Sequence, residues 1–438
     1  MMNNLANQIS HFKHEIEKTA FFEVVGNVSR INGVLIEVKG LNAPIGAVCE
    51  IDNDGRRIMA QVVGFEEDIL FLMPEHATHG IQPHDPVTLK SKELFVPVGH
   101  ALLGRVVDGS GVPLDDEGDL AGAEWVSLST TAINPLHRKP ISEPLDVGVR
   151  ALNSLLTIGV GQRIGLFAGS GVGKSVLLGM LTQFAEADMI VLGLIGERGR
   201  EVQEFIRDHI GAAKHKSVVV AAPADESPYH RLQGAFYATR IAEYFRAQGK
   251  TVLLLMDSLT RVAQAKRELA LALGEMPASR GFPPSVFQTL PQLVERAGND
   301  RQGGSITALY TVLAEGDDLQ DPVVDCARAI LDGHIVLSRQ LAERAHYPAI
   351  DIEASISRVM NKVLPKSALE KAKKLRILLS HYAANEDFIK LGVYQEGKDQ
   401  LLDEAIKKMP KIKAFLQQAD DEKVTLEACS AKLDEILK

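Results

Sequence analysis

The segment Ala168-Gly-Ser-Gly-Val-Gly-Lys-Ser175 constrains the fold of this chain more than any other feature. It joins an apolar, strand-like run, Arg163 to Ala168, to a run of helical composition, Val176 to Phe184. Its three glycines let the backbone turn so that successive N–H groups point inward, and the following helix adds the positive end of its dipole. This order of strand, loop and helix predicts a P-loop, which binds nucleotide phosphates.

Two side chains at the end of this loop are predicted to carry chemistry. Lys174 is placed to reach the β- and γ-phosphates of ATP, and the Ser175 hydroxyl to coordinate Mg²⁺. The strict pattern begins with glycine, and Ala168 adds one methyl group there. A glycine-rich loop that merely turns the chain is the alternative, but the Gly-Lys-Ser ending favours phosphate binding. The predicted nucleotide-binding residues of this segment are Ala168, Gly169, Ser170, Gly171, Val172, Gly173, Lys174, Ser175 and Val176.

A P-loop needs a second carboxylate for its metal ion, commonly at the tip of a later buried strand. The apolar run Thr251-Val-Leu-Leu-Leu-Met-Asp257 supplies one, so Asp257 is predicted to hold Mg²⁺ through a water molecule. An aspartate that ends a strand can instead cap the following helix, and Ser258 and Thr260 lie nearby. The presence of a P-loop favours the interpretation that Asp257 helps to hold Mg²⁺ over the interpretation that it caps a helix.

Glu197 is the candidate catalytic carboxylate. It lies in Leu194-Ile-Gly-Glu-Arg-Gly-Arg-Glu201, directly after another apolar strand, and is therefore expected at the same edge of the sheet as the P-loop. A carboxylate there can orient and polarise the attacking water. The alternative is that Glu197, Arg198, Arg200 and Glu201 form exposed ion pairs, which are common on protein surfaces.

The 438 residues are predicted to form three domains. Residues 1–92 are predicted to form an N-terminal helix and a β-barrel oligomerisation domain. Short strands from about residue 21 onward, including a hairpin at Asn32-Gly33, indicate the barrel. Residues 93–360 alternate apolar strands with helices, which indicates an α/β domain with a parallel sheet covered by helices. Residues 361–438 are predicted to be helical.

The first twenty residues are not expected to form a signal peptide, because they have no continuous apolar run. Leu5, Ile9, Phe12 and Ile16 instead share one helical face, which either packs on its own domain or docks on a partner or membrane surface. No apolar stretch is long enough to span a bilayer. The net charge of −9 argues against a nucleic-acid partner. The widely spaced cysteines are typical of ordinary thiols in the cytoplasm.

Four motifs together resemble the ATPases of type III protein export, which are relatives of the rotary ATP synthase catalytic subunit. The motifs are the P-loop, Gly-Glu-Arg-Gly-Arg-Glu (196–201), Leu-Met-Asp-Ser-Leu-Thr-Arg (255–261) and Tyr-Pro-Ala-Ile-Asp-Ile-Glu-Ala-Ser-Ile-Ser-Arg (347–358). The resemblance covers nearly the whole chain and implies a barrel, a RecA-like ATPase domain and a helical domain, assembled as a homohexameric ring. Segments 223–228, 231–234 and 237–240 resemble the flagellar branch more than the virulence branch.

The resemblance also implies residue roles. It makes Glu197 the catalytic glutamate, Arg358 an arginine finger that reaches the γ-phosphate of a neighbouring subunit, and Tyr347 a residue that stacks on adenine. From the residues alone, Arg358 is equally consistent with a structural ion pair. Tyr347 is likewise consistent with a packed aromatic before Pro348.

The function expected from the resemblance is ATP hydrolysis that energises or prepares export of flagellar proteins, at the cytoplasmic face of the inner membrane and with only peripheral membrane association. Implied partners are a regulatory protein at the N-terminal helix, a central stalk, and export substrates and chaperones at the helical domain. The alternatives are a virulence secretion ATPase, a non-catalytic ring subunit and an RNA helicase. Glu197 argues against the second and the acidic charge balance against the third. The C-terminal region lacks the acidic shaft-contacting motif of the synthase subunit, which argues against proton-driven synthesis.

Overall fold

The computed structural model describes residues 24–75, 80–130, 133–314 and 321–438. Contacts divide the chain into two compact units between Leu94 and Phe95. The helix predicted around Leu5, Ile9, Phe12 and Ile16 lies outside the described residues. The boundary predicted near residue 360 falls inside the second unit and stays a prediction.

The first unit is a six-stranded antiparallel barrel with strand order β1-β2-β5-β4-β3-β6. It closes because β1 pairs with β6, with Val25 opposite Thr88. Inward-facing side chains such as Ile36, Val38 and Leu72 are fully buried and fill the interior. The predicted barrel is therefore confirmed. The strands are β1 Val25–Asn32, β2 Leu35–Lys39, β3 Val48–Asn53, β4 Arg56–Glu66, β5 Ile69–Pro74 and β6 Pro86–Ser91.

The hairpin between β1 and β2 differs from the prediction by one residue. Asn32 pairs with Leu35 as part of the ladder, so the two-residue loop is Gly33-Val34 and not Asn32-Gly33. Gly33 has φ 61°, whereas Asn32 is not in the positive-φ region. A turn of this kind needs a positive φ only at its first central position, which glycine adopts without strain. Val34 is consequently exposed at the turn.

A mostly parallel sheet organises the second unit, with strand order β17-β16-β10-β15-β13-β11-β12-β8. Among the described strands of this sheet, β17 pairs antiparallel with β16 and β14 pairs antiparallel with β15, and the other pairs are parallel. A separate two-stranded sheet joins β7 to β9. The strands are β7 Phe95–Val98, β8 Val106–Val107, β9 Glu124–Ser127, β10 Arg163–Ala168, β11 Met189–Ile195, β12 Ser217–Ala222, β13 Thr251–Asp257, β14 Gly298–Asn299, β15 Ser305–Leu313, β16 Gly333–Leu337 and β17 Ile350–Ser357.

Helices pack around this sheet, and the C-terminal region from Lys366 to Leu437 consists of three helices and the segments that join them, as predicted. The described α-helices are α1 Arg150–Leu155, α2 Lys174–Phe184, α3 Gly199–Phe205, α4 Pro228–Ala247, α5 Leu259–Ala272, α6 Pro284–Val294, α7 Pro322–Ile330, α8 Arg339–Glu343, α9 Met360–Val363, α10 Lys366–Lys390, α11 Gln400–Leu416 and α12 Leu426–Leu437. Short 3₁₀ turns span His100–Leu102, Pro135–His137 and Gly211–Lys216, and a π turn spans Ile206–Ile210.

Strands β11 and β12 are buried along their whole length, which explains why every residue in them except Ser217 is apolar. One continuous apolar core extends from these strands through α2 to the C-terminal helices. Within the described ranges, no helix is both long and apolar enough to cross a membrane. Cys49, Cys326 and Cys429 are free thiols, and burial raises the pKa of Cys49 and Cys429 to about 11.

Candidate active site

The P-loop lies between the end of β10 and the start of α2. Gly171 and Gly173 have φ 75° and 90°, conformations that residues with a Cβ rarely adopt. Gly173 stands immediately before the first residue of α2, so the helix N-terminus opens directly onto the loop. Ala168 is buried at the end of β10, opposite Leu313 of β15. Its extra methyl group is therefore accommodated in the core and does not obstruct the loop.

Three charged side chains converge beside the loop. The Nζ of Lys174 lies 2.7 Å from Oδ1 of Asp257 and 3.2 Å from Oε1 of Glu197. Asp257 ends β13 and Glu197 follows β11, and these two parallel strands are neighbours in the sheet. Their carboxyl ends therefore meet at the edge where the P-loop begins, as the sequence predicts.

Asp257 does not cap the helix that follows it. The Ser258 hydroxyl accepts the hydrogen bond from the Arg261 N–H and caps α5 in its place. Asp257 is only 5% exposed, and its Oδ1 also accepts a 2.6 Å hydrogen bond from the Thr311 hydroxyl. Sequence reasoning missed Thr311, because β15 also contains Ser305, Thr307 and Tyr310 and no pattern singles out one of these hydroxyls.

Burial and neighbouring charges together shift the pKa values of Lys174 and Asp257. Burial lowers the pKa of Lys174, but Asp257 and Glu197 outweigh that effect and raise it overall, so the ammonium stays charged. Burial raises the pKa of Asp257; Lys174 opposes this shift and Glu197 adds to it. Two carboxylates thus share one ammonium in this cluster.

Glu197 is buried, whereas the charged residues that follow it in the sequence form exposed ion pairs. Glu197 is 9% exposed and faces Lys174. Arg198 and Glu201 form an exposed ion pair at 3.3 Å, and Arg200 lies 3.7 Å from Glu204. The arginines therefore form the exposed ion pairs of the alternative interpretation, whereas Glu197 lies in the buried cluster with Lys174 and Asp257.

A cavity of about 530 Å³ lies above the loop, large enough for a triphosphate with its metal ion. It includes Arg261 and Arg339, which sequence reasoning did not assign to the site. Val172 is instead buried in the apolar core, so only its backbone is available to a ligand. The lining residues are Ala168, Gly169, Ser170, Gly171, Gly173, Lys174, Ser175, Val176, Glu197, Arg198, Glu201, Arg261, Leu313, Ala314 and Arg339.

The oxygen donors at this edge fit Mg²⁺. Ser175, which carries a hydroxyl, lines the cavity, and the Asp257 carboxylate lies beside Lys174. Among the described residues, no group of three His, Cys, Asp or Glu side chains is arranged to hold a metal ion. Mg²⁺ in nucleotide sites needs no such cage, because it takes one or two protein oxygens and the rest from phosphates and water.

The structure brings Tyr347 to the loop but not Arg358. A Cβ at Gly173 would lie 3.5 Å from Cδ1 and Cε1 of Tyr347, whose side chain is half exposed and not packed in the core. The Arg358 guanidinium donates to the carbonyl of Arg328 and lines a separate cavity of about 780 Å³. Neither role predicted for these residues is tested by this geometry, and both stay predictions.

Three family models match the chain. They are the beta-barrel domain of the ATP synthase alpha/beta family over residues 28–89, its nucleotide-binding domain over 148–357, and the T3SS EscN ATPase C-terminal domain over 364–435. The Flagellum-specific ATP synthase of Pseudomonas aeruginosa is 52% identical over 99% of this chain and 98% of its own length. The chain belongs to the family of flagellar and type III secretion ATPases.

Other members of this family are similarly close. The Flagellum-specific ATP synthase of Salmonella typhimurium is 54% identical, with 93% of this chain and 92% of the relative covered. The Type 3 secretion system ATPase of Xanthomonas euvesicatoria is 46% identical, with 94% and 93% covered. The assembled ATPase EscN of enteropathogenic E. coli superposes with a TM-score of 0.90 at 45% identity, over 94% of this chain and 100% of that structure. The resemblance seen in the motifs, the three-part fold and the ATPase class of the chain are thereby confirmed.

Proposed function

We propose that this chain hydrolyses Mg²⁺-bound ATP to energise or prepare the export of flagellar proteins through a type III apparatus. The observation that carries the proposal is the meeting of Lys174, Asp257 and Glu197 at the end of the P-loop, with Lys174 within 3.2 Å of both carboxylates. A cation, a metal-binding carboxylate and a base at one sheet edge are the parts that phosphoryl transfer to water requires.

Each residue has a distinct task in this mechanism. The loop N–H groups and Lys174 hold the β- and γ-phosphates in line with the attacking water. Ser175 and, through water, Asp257 would hold Mg²⁺, which supplies positive charge to the phosphate oxygens. Glu197 orients the water and accepts its proton.

Arg358 is proposed to complete the site from the next subunit of a homohexameric ring. Arg358 lines a different cavity from the P-loop of its own chain, which supports a role at the nucleotide of a neighbouring subunit. The related EscN has been solved as an assembled ATPase and in complex with its central stalk EscO. We extend both the assembly and a stalk partner to this chain by homology.

The flagellar branch is favoured because the relatives at 52% and 54% identity are flagellum-specific. The virulence branch is the second candidate, since the EscN structures superpose over 94% of the chain. We further propose that a regulator binds the N-terminal helix and that substrates and chaperones bind the helical region. The chain is also proposed to associate peripherally with the cytoplasmic membrane face.

One experiment tests ATP hydrolysis, and a second tests the assignment to the flagellar branch. Purified chain should release phosphate from ATP only with Mg²⁺, and Lys174→Ala should abolish that release; near-normal activity of this variant would refute the enzymatic site. Deletion of the gene should abolish motility and filament export. Loss of virulence-type secretion with motility intact would instead assign the chain to the second branch.

A further inference from the structure

The segment between α11 and α12 contains a buried glutamine that the mechanism above does not use. Gln418 is 7% exposed, and its backbone N–H donates a 2.9 Å hydrogen bond to the carbonyl of Tyr347. Its side-chain amide is bonded at both ends. Oε1 accepts from the N–H of Arg150 at 2.7 Å, and Nε2 donates to the carbonyl of Gly148 at 2.8 Å and to that of Glu422.

These partners lie at opposite ends of the P-loop helix. Tyr347 lies beside Gly173, immediately before α2 begins. Gly148 packs against Phe184, the last residue of α2, so closely that a Cβ there would lie 2.3 Å from the Phe184 Cβ. Gln418 therefore connects the backbone of Tyr347 to Gly148, which packs against the C-terminal end of the same helix.

Only a primary amide meets both requirements of this position. Arg150 needs an acceptor for its N–H, and the Gly148 carbonyl is matched to a donor. Leucine would lose both bonds and leave the Arg150 N–H without its acceptor, whereas the Gly148 carbonyl would keep its 3.0 Å hydrogen bond from the Val424 N–H. Glutamate would keep the acceptor but set a carboxylate oxygen against the Gly148 carbonyl.

We propose that Gln418 is a positioning residue, which fixes the Tyr347 backbone so that the Tyr347 ring faces the base of a nucleotide held on the P-loop. This inference rests on the proposed ATP site, and it adds a role for the C-terminal helical region in base recognition.

The test compares a ligand that has a base with one that lacks it, on the full-length purified chain. ATP and inorganic tripolyphosphate are each titrated by displacement of a fluorescent ATP analogue. Gln418→Leu should weaken ATP binding about tenfold, the scale of a base–aromatic contact, and leave tripolyphosphate binding unchanged. The adjacent, exposed Gln417→Leu makes the same chemical change and should alter neither.

A double variant identifies the route of the effect. If Gln418 acts through Tyr347, adding Gln418→Leu to Tyr347→Ala should weaken ATP binding no further. Equal losses for ATP and tripolyphosphate, or additive losses in the double variant, would overturn the proposal. Gln418→Glu provides a second reading should the leucine variant not fold, with the same selective loss expected. A wild-type chain that binds ATP without hydrolysing it would refute the proposed function and leave this test valid.

Discussion

The hydroxyl of Thr311 donates a 2.6 Å hydrogen bond to Oδ1 of Asp257 across the boundary between β15 and β13. The same carboxylate oxygen contacts the Lys174 ammonium at 2.7 Å. Asp257 is thus held by one neutral donor and one cation, in a place where burial raises its pKa. Its ionisation depends on both contacts.

Removal of the Thr311 hydroxyl should shift the pH dependence of ATP hydrolysis. The hydrogen bond from Thr311 lowers the pKa of Asp257, so Thr311→Val should raise that pKa further. Because Mg²⁺ needs the ionised carboxylate, the acid limb of the rate profile should move to higher pH. Thr311→Ser keeps the hydroxyl and should retain the wild-type profile; an unchanged profile in the valine variant would contradict the role given to this bond.

Glu197→Gln should lower the turnover number by about 10² to 10⁴ while ATP still binds, because the amide cannot accept the proton of the attacking water. Rates of phosphate release and the affinity for ATP are measured side by side. Glu204→Gln makes the same change on α3, in a side chain paired with exposed Arg200, and should be nearly neutral. Comparable rates for the two variants would remove Glu197 from the mechanism.

Arg358→Ala should keep ATP binding and lose the activity that depends on ring assembly. Lys174→Ala subunits lack a working loop but still carry Arg358. Mixed rings of the two variants should therefore regain part of the activity, since some interfaces pair an intact loop with an intact arginine. Absence of any recovery in mixtures shown to co-assemble would contradict a role for Arg358 across the interface.

The Arg105–Asp115 pair offers a test of stability that is remote from catalysis. Asp115 accepts 2.8 Å hydrogen bonds from Nε and Nη2 of Arg105 and from the N–H of Val106. The Arg105 guanidinium holds the pKa of Asp115 well below its ordinary value of 3.8. A lowered pKa stabilises the fold above the ordinary value and loses that contribution as the pH falls below it.

Asp115→Asn should accordingly lower the thermal midpoint by a few degrees at pH 7. The difference between variant and wild type should shrink as the pH falls below about 4, which melting curves at several pH values would show. Exposed Asp116 is the neighbouring control. A pH-independent difference would mean that the aspartate acts through packing and not through charge.

The placement of Lys174, Glu197 and Asp257 at one edge could be predicted because it follows from a rule of topology. Carboxyl ends of neighbouring parallel strands must meet, whatever their exact lengths. Thr311 could not be placed, since its contact depends on which residue of β15 stands beside the end of β13. Gln418 was out of reach for a similar reason: 71 positions separate it from Tyr347 in the sequence, and no local pattern connects them. The hairpin at Gly33 shows that turn chemistry identifies a turn without fixing its register.

Closure of the β-barrel limits how other molecules can bind the first unit. Each of its six described strands has a partner on both sides, so this sheet offers no free backbone edge onto which a foreign strand could add. Recognition must instead use side chains and loops, including the exposed apolar residues Ile45 and Phe65. Substitution of exposed side chains on this unit should therefore change the affinity of a partner, whether or not the bound segment of that partner is extended.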